Sequence, residues 1–261
     1  MFLGVTYCLF VYLLAGIGTS MGYHRVLTHK SADLPKWFEY TVVIIGLPAG
    51  TPIQWVGNHR AHHGNTDVTG DPHSPVTCGF WYAHCGWYIN SKNVILCFLY
   101  ASAGPVRMIF DAFWRPRTNQ QHNQFATEIE ADPFYKAISK PIVYQFILLI
   151  YITLLSTVSI LIFGSTGIVI LWILLVIIYN LGDSVDSIGH LYGEKIGQSE
   201  ARNNVILGWL SFGDGWHANH HINPTLANHG LKRRQFDLTF LILKGMKMVG
   251  LVKNIEQNES K

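Results

Sequence analysis

The chain has 261 residues, of which 49% are hydrophobic and 13% charged, and a formal net charge of +3. A charged share about half of the roughly 25% usual for soluble domains points to a lipid-facing surface, and this length holds one domain with little room for a second. The few basic residues are interleaved with tryptophans and apolar runs rather than gathered in a stripe, which argues against nucleic acid as a partner.

Taken in chain order, the first apolar run, residues 1–22, is long enough to cross a bilayer core of roughly 30 Å at about 1.5 Å per residue. No Lys or Arg precedes it and His24 follows at once, so the sequence predicts a retained anchor rather than a signal peptide. The run 40–52 is short and broken by Pro48, Gly50 and Pro52, which predicts a re-entrant or interfacial piece. Residues 94–110, interrupted by Gly104, Pro105 and Arg107, are expected at the interface, as is an amphipathic helix from Leu231 onward. Runs 142–163 and 168–186, separated by Gly164-Ser165-Thr166-Gly167, predict a tight helical hairpin. All 19 Lys and Arg residues fall outside these spans and on one side, so the positive-inside bias places 23–141 and 187–261 in the cytoplasm. Cys8, Cys78, Cys85 and Cys97 form no Cys-x-x-Cys pair and carry no redox message.

The chemistry lies in 13 histidines and their grouping. In HRAHH, His59, His62 and His63 stand at i, i+3 and i+4 and share one helical face; His217, His220 and His221 in HANHH repeat that spacing. His24 and His29 are five apart and would point about 140° apart on a regular helix, so either the helix end adapts or two metals are served. His190 shares a face with Asp183 and Asp186 at the end of the last span, where ionisable groups default to function. Imidazole suits zinc, copper, iron and nickel alike, but eight or nine histidines exceed one tetrahedral zinc site and favour two metals. His73, His84, His122 and His229 are read as surface or satisfied core residues.

In order, GYHRVLTHKS, WVGNHRAHH, GDPHSP, GFWYAHCGW, GHLYG and FGDGWHANHH make the sequence resemble the membrane fatty acid desaturases of the Δ9 acyl-lipid and acyl-CoA type. The resemblance implies an all-α integral membrane fold: transmembrane helices in two hairpin-like groups, the first lacking the span the family usually places before it, capped by a cytoplasmic helical domain. It implies two iron ions held by His24, His29, His59, His62, His63, His190, His217, His220 and His221, the same set the spacing selects. It further implies O₂-dependent formation of a cis double bond, a bent apolar tunnel lined by Trp55, and a separate electron donor such as ferredoxin or cytochrome b5.

Three departures from the family stand out. Asp186 occupies the place of an asparagine that reaches iron through a water, and is expected either to ligate or to orient a histidine. Asp183 replaces a tunnel tryptophan and is expected either to line the tunnel in its place or to orient neighbouring histidines. Gly57 and Thr77-Cys78 stand where acyl-CoA enzymes carry basic residues, which favours a lipid-linked or carrier-linked acyl chain over coenzyme A. Two other readings share these residues: a membrane di-iron hydroxylase or decarboxylase, and a non-catalytic metal carrier, which predicts ligands along the spans.

Overall fold

The structure is a computed structural model and describes residues 2–257; Met1, part of the first apolar run, lies outside them. Two helical stretches, Phe2–Thr28 and Pro141–Leu191, are long and apolar enough to cross a membrane. The first begins as an α-helix, α1 (Phe2–Gly16), and continues without a break as a π-helix over Ile17–Thr28, so it runs past the expected end at 22 and carries His24 with it.

Glycines let the next helix lie directly on this one. A Cβ on Gly18 would fall 2.5 Å from the Gly46 nitrogen, and one on Gly22 would fall 3.1 Å from the Val42 carbonyl oxygen. These pairings make α2 (Lys36–Gly46) antiparallel to the first helix, ending at the level of Gly18. A 3₁₀ turn at Leu47–Ala49 and Gly50 at φ 129° reverse the chain, held by hydrogen bonds from the Tyr23 hydroxyl to the Gly50 carbonyl and from the Tyr144 hydroxyl to the Leu47 carbonyl. Thr51 then caps α3 (Pro52–Gly64), with Pro52 at its first position, where the missing N–H costs nothing. The chain thus descends and returns, bringing the second histidine group back to the level of the first.

Alanine at Gly18 should therefore destabilise the protein by about 1–3 kcal/mol, because backbone must move to admit the methyl group. Gly245, in the last helix with open space around its Cβ direction, should instead gain roughly 0.5–1 kcal/mol as alanine. Thermal unfolding in detergent reads both, and equal melting of the Gly18 variant and the parent would contradict this helix crossing.

Residues 94–114 form two helices, α4 (Val94–Ala101) and α5 (Pro105–Trp114), bent by 114° at Gly104. The Trp172 ring lies against Gly104, where φ is 51°, and its Nε1 donates to the Ser102 carbonyl. The second long stretch folds back on itself: α6 (Pro141–Phe163) and α7 (Gly167–Leu191) meet across Gly164 at φ 66°, with the Ser159 hydroxyl donating to the Gly167 carbonyl. Leu148, Ile152, Leu171 and Leu175 join one core with Tyr23, Val43, Val56 and Met108, which locks the hairpin to α2, α3 and α5. Helix α7 extends to Leu191, so Asp183, Asp186 and His190 lie on its final turns.

The remaining elements close over the histidines. A two-residue hairpin, β1 (Glu194–Lys195) and β2 (Arg202–Asn203), leads to α8 (Val205–Leu210) and to α9 (His217–Ile222), which carries the third histidine group. The expected C-terminal helix starts later than Leu231: α10 spans Leu238–Met248, capped by Asp237, and its Leu243 is buried against Met21 and Val42.

Candidate metal centre

The π-helix decides how the first histidine pair works. Its backbone closes from the His29 N–H to the His24 carbonyl at 3.2 Å, an i to i+5 bond that widens the turn to roughly 4.4 residues, so the two imidazoles stand ~50° apart instead of 140°. The helix end adapts, and both rings join one group.

That group comprises His24, His29, His59 and His220; a second comprises His62, His190, His217 and His221, and within each the candidate ligand nitrogens lie within 4.8 Å of one another. The inward atoms are Nε2: His24 to His220 is 3.0 Å, His29 to His59 3.1 Å, His190 to His217 2.9 Å, and His62 to His221 3.3 Å. His63 bridges the groups, its Nε2 3.1 Å from His59 and 2.9 Å from His220 while its ring stacks on His221. All nine histidines selected from the sequence therefore converge.

The outward Nδ1 atoms explain the orientation. His24 Nδ1 lies 3.1 Å from Asp214, His62 Nδ1 2.9 Å from Asp71, and His190 Nδ1 3.0 Å from Asp67. A carboxylate that accepts the Nδ1 proton fixes the tautomer with the Nε2 lone pair facing inward, as a ligand requires. Arg25 braces the system: fully buried, it donates to Asp214 at 2.7 Å and to Asp237 at 2.9 Å, tying the first histidine group to the third and to α10.

Burial, aided by neighbouring imidazoles, pushes His59, His62, His217, His220 and His221 well below the ordinary histidine range, and His63 to about 3. The rings are neutral near pH 7. Burial also works against ionisation of Asp214, but Arg25 and His24 outweigh it and hold the carboxyl at about 2. Since protons bind the unfolded histidines near 6.5 and the folded ones only far lower, stability of the metal-free protein should be full above about pH 6.5 and fall as pH drops toward about 3. Unfolding measured at stepped pH without metal checks this; a flat profile across that window would contradict the buried, neutral cluster.

A cavity of about 190 Å³ reaches the cluster, lined at this end by His24, His59, His217 and Asp186 and further in by Ala15, Leu155, Leu175 and Ile178. Trp55 lines it and stacks on His59 at 4.9 Å. Asp186 lines it but belongs to neither four-histidine group. Asp183 lines the cavity as well, but among the described residues it orients no histidine: it grips the Arg107 guanidinium through both oxygens, at 2.6 and 3.1 Å. Arg107 therefore carries a charge to the level of Asp183 inside the apolar stretch, which the one-sided count of basic residues did not foresee. His84 is a satisfied core residue, bonded to Ser187 and Asn180. His73 and His229 are not bystanders: His73 stacks on His62, His229 contacts His24 and His220, and each keeps one ring nitrogen without a hydrogen-bond partner among the described residues.

The orienting carboxylates were the main omission from the sequence reading. Asp71 and Asp214 stand within the motifs GDPHSP and FGDGWHANHH, and an acidic residue beside a histidine run was the available signal.

A family profile described as "Fatty acid desaturase" matches residues 2–235. Similar proteins include an acyl-CoA C20 Delta5-desaturase of Anemone leveillei, 31% identical over 95% of this chain and 72% of its own length. Others are an sn-1 stearoyl-lipid 9-desaturase of Anabaena variabilis, 30% identical over 97% and 84% respectively, and a palmitoyl-monogalactosyldiacylglycerol delta-7 desaturase of Arabidopsis thaliana, 29% identical over 94% and 60%. The chain thus spans between 60% and 84% of the length of these relatives. With its histidine groups, its apolar helices and a match over nearly all of its length, the chain belongs to the fatty acid desaturase family.

Proposed function

We propose that this protein is an O₂-dependent desaturase that places a cis double bond, at the Δ9 position, in a lipid-linked or thioester-linked acyl chain. The observation that carries the reading is two groups of four converging, mostly buried imidazoles at one end of a largely apolar cavity between the long helices. His24, His29, His59 and His220 would hold one iron, His62, His190, His217 and His221 the other, and His63 lies between them. Bound there, two irons supply the redox chemistry that activates dioxygen and removes hydrogen from adjacent methylenes.

The protein's own part is positioning. Trp55 is wedged between Tyr23 and His59, a rigid wall against which a flexible chain can be held at one carbon. Asp67, Asp71 and Asp214 keep the imidazoles aimed, and the apolar part of the lining limits water. Asp186 belongs to the cavity wall in this reading, facing the reacting carbons. A lipid-linked substrate is favoured because Gly57 has no room for a basic side chain: a Cβ there would sit 2.5 Å from the His122 carbonyl oxygen. The relatives' names span positions 5, 7 and 9, and the motif likeness together with the stearoyl-lipid relatives supports Δ9 among these. The concentration of basic residues beside the histidines favours a cytoplasmic site served by a separate donor of ferredoxin or cytochrome b5 type. The carrier alternative loses support because the ligand groups cluster at one end rather than along the spans.

Expression in a host that supplies such a donor, followed by mass spectrometry of derivatised lipids, should reveal a new double bond at carbon 9. A new hydroxyl would identify the hydroxylase alternative, and lipids unchanged by a chain that is inserted and metal-loaded would overturn both.

A further inference from the structure

One wall of the cavity is not apolar. Arg107 and Arg115 line it, each about 2–3% exposed, with Trp87, Tyr88, Tyr179 and Asp183. The Arg107 guanidinium is fixed by Asp183 and sandwiched 4.4 Å from the Tyr100 ring and 4.3 Å from Tyr179; that of Arg115 lies 3.9 Å from Tyr88. Yet Trp87 Nε1 and Arg115 Nε have no hydrogen-bond partner among the described residues, nor does the Tyr179 hydroxyl; Arg107 Nε has none within hydrogen-bond distance either, but it faces the equally unpartnered Asp111 Oδ2 at 3.8 Å. The indole nitrogen of Trp87 and the Arg115 Nε can only donate. Unpaired buried donors each cost roughly 1–3 kcal/mol, so a cluster of them in one cavity wall calls for an acceptor that arrives with a ligand.

The charge balance says what kind. Arg107 and Arg115 are offset by Asp183 and by Asp111, which lies 3.8 Å from Arg107 Nε, and Asp186 adds a further carboxyl to the same cavity. A wall with no positive excess does not attract a phosphate or a free carboxylate. It suits an uncharged oxygen acceptor.

We propose, resting on the desaturase reading, that this wall is a subsite for the carbonyl oxygen of the acyl linkage, ester or thioester, and that it sets how far the chain is drawn past the histidines. Trp87 is two ring contacts from the metal cluster, 4.7 Å from His73, which is 4.6 Å from His62. A carbonyl anchored at this wall therefore fixes the register of the methylenes beyond it. The apolar end of the cavity, at Val11, Ala15 and Leu155, takes the methyl end.

The test offers the holoenzyme in nanodiscs an ester-linked saturated glycerolipid, its ether-linked analogue lacking only the carbonyl, and a thioester of the same chain. The ester lipid or the thioester should be turned over roughly 10- to 100-fold better than the ether, and whichever leads identifies the source of the carbonyl. Trp87→Phe, which keeps the aromatic ring, and the paired change R107M/D183L, which leaves no unpaired charge, should erase that preference and scatter the double-bond position. Equal use of ether and ester by the parent, or a preference unchanged in a folded variant, would overturn the proposal. Thermal stabilisation by the methyl ester and by the methyl ether of one saturated chain gives an independent readout. If no lipid is desaturated but the ester still stabilises the parent more than the ether, the desaturase reading fails and the subsite stands. If ester and ether stabilise equally, the subsite fails whatever the activity.

Discussion

Replacing His220 by alanine should abolish product, a loss beyond ~100-fold, and strip metal from the protein. His220 is completely buried, its Nε2 lies 3.0 Å from that of His24 and 2.9 Å from that of His63, and it joins the third histidine group to the first two. Removing it leaves a first group of three imidazoles and frees His63 on one side. His122→Ala is the matched control: that ring is half-buried, its nearest ring partner is Phe125, and it belongs to neither group. Metal content and product measured side by side decide the matter. Equal losses in both variants would point to general damage, and full activity in the His220 variant would remove it from the ligand set.

Asp214→Asn should cost about 10- to 100-fold in metal retention and activity, with the ligands themselves untouched. An amide cannot reproduce a carboxylate that accepts from both the His24 imidazole and the Arg25 guanidinium. His24 loses the group that fixes its tautomer, and of the two carboxylates that Arg25 pairs with among the described residues only Asp237 is left in a fully buried site, a defect worth about 3 kcal/mol. A chelator titration followed by residual metal reads the first effect and unfolding reads the second. A parent-like chelator midpoint would mean that the carboxylate serves Arg25 alone.

The ligand residues were legible because their pattern is local. Positions i, i+3 and i+4 share a helical face whatever surrounds them, and two such runs in an apolar chain leave few other uses for so many imidazoles. The reversal between α2 and α3 was legible for a similar reason, since Pro48 and Gly50 break a helix and Pro52 fits only at the start of one. What could not be read was geometry that tertiary contacts impose. A regular helix separates His24 from His29, and only the wider π-turn reunites them. The partners of His24 and His190 lie 190 and 123 residues away in the chain, so no spacing rule pairs them with Asp214 and Asp67. Asp183 invited assignment to the histidines because it shares a helix face with His190, but it points instead to Arg107, 76 residues earlier. His73 and His229 look like isolated surface or satisfied core histidines until the fold buries them against the cluster.

The central claim is that the converging imidazoles grip two redox-active ions. The iron content of purified, membrane-inserted protein, measured together with dioxygen consumption on addition of reductant and lipid, tests it most directly. The account predicts about two irons per chain and oxygen uptake that stops when His62 or His220 is replaced. Iron-free protein that consumes no dioxygen after faithful insertion and supply of ferrous ion would contradict it.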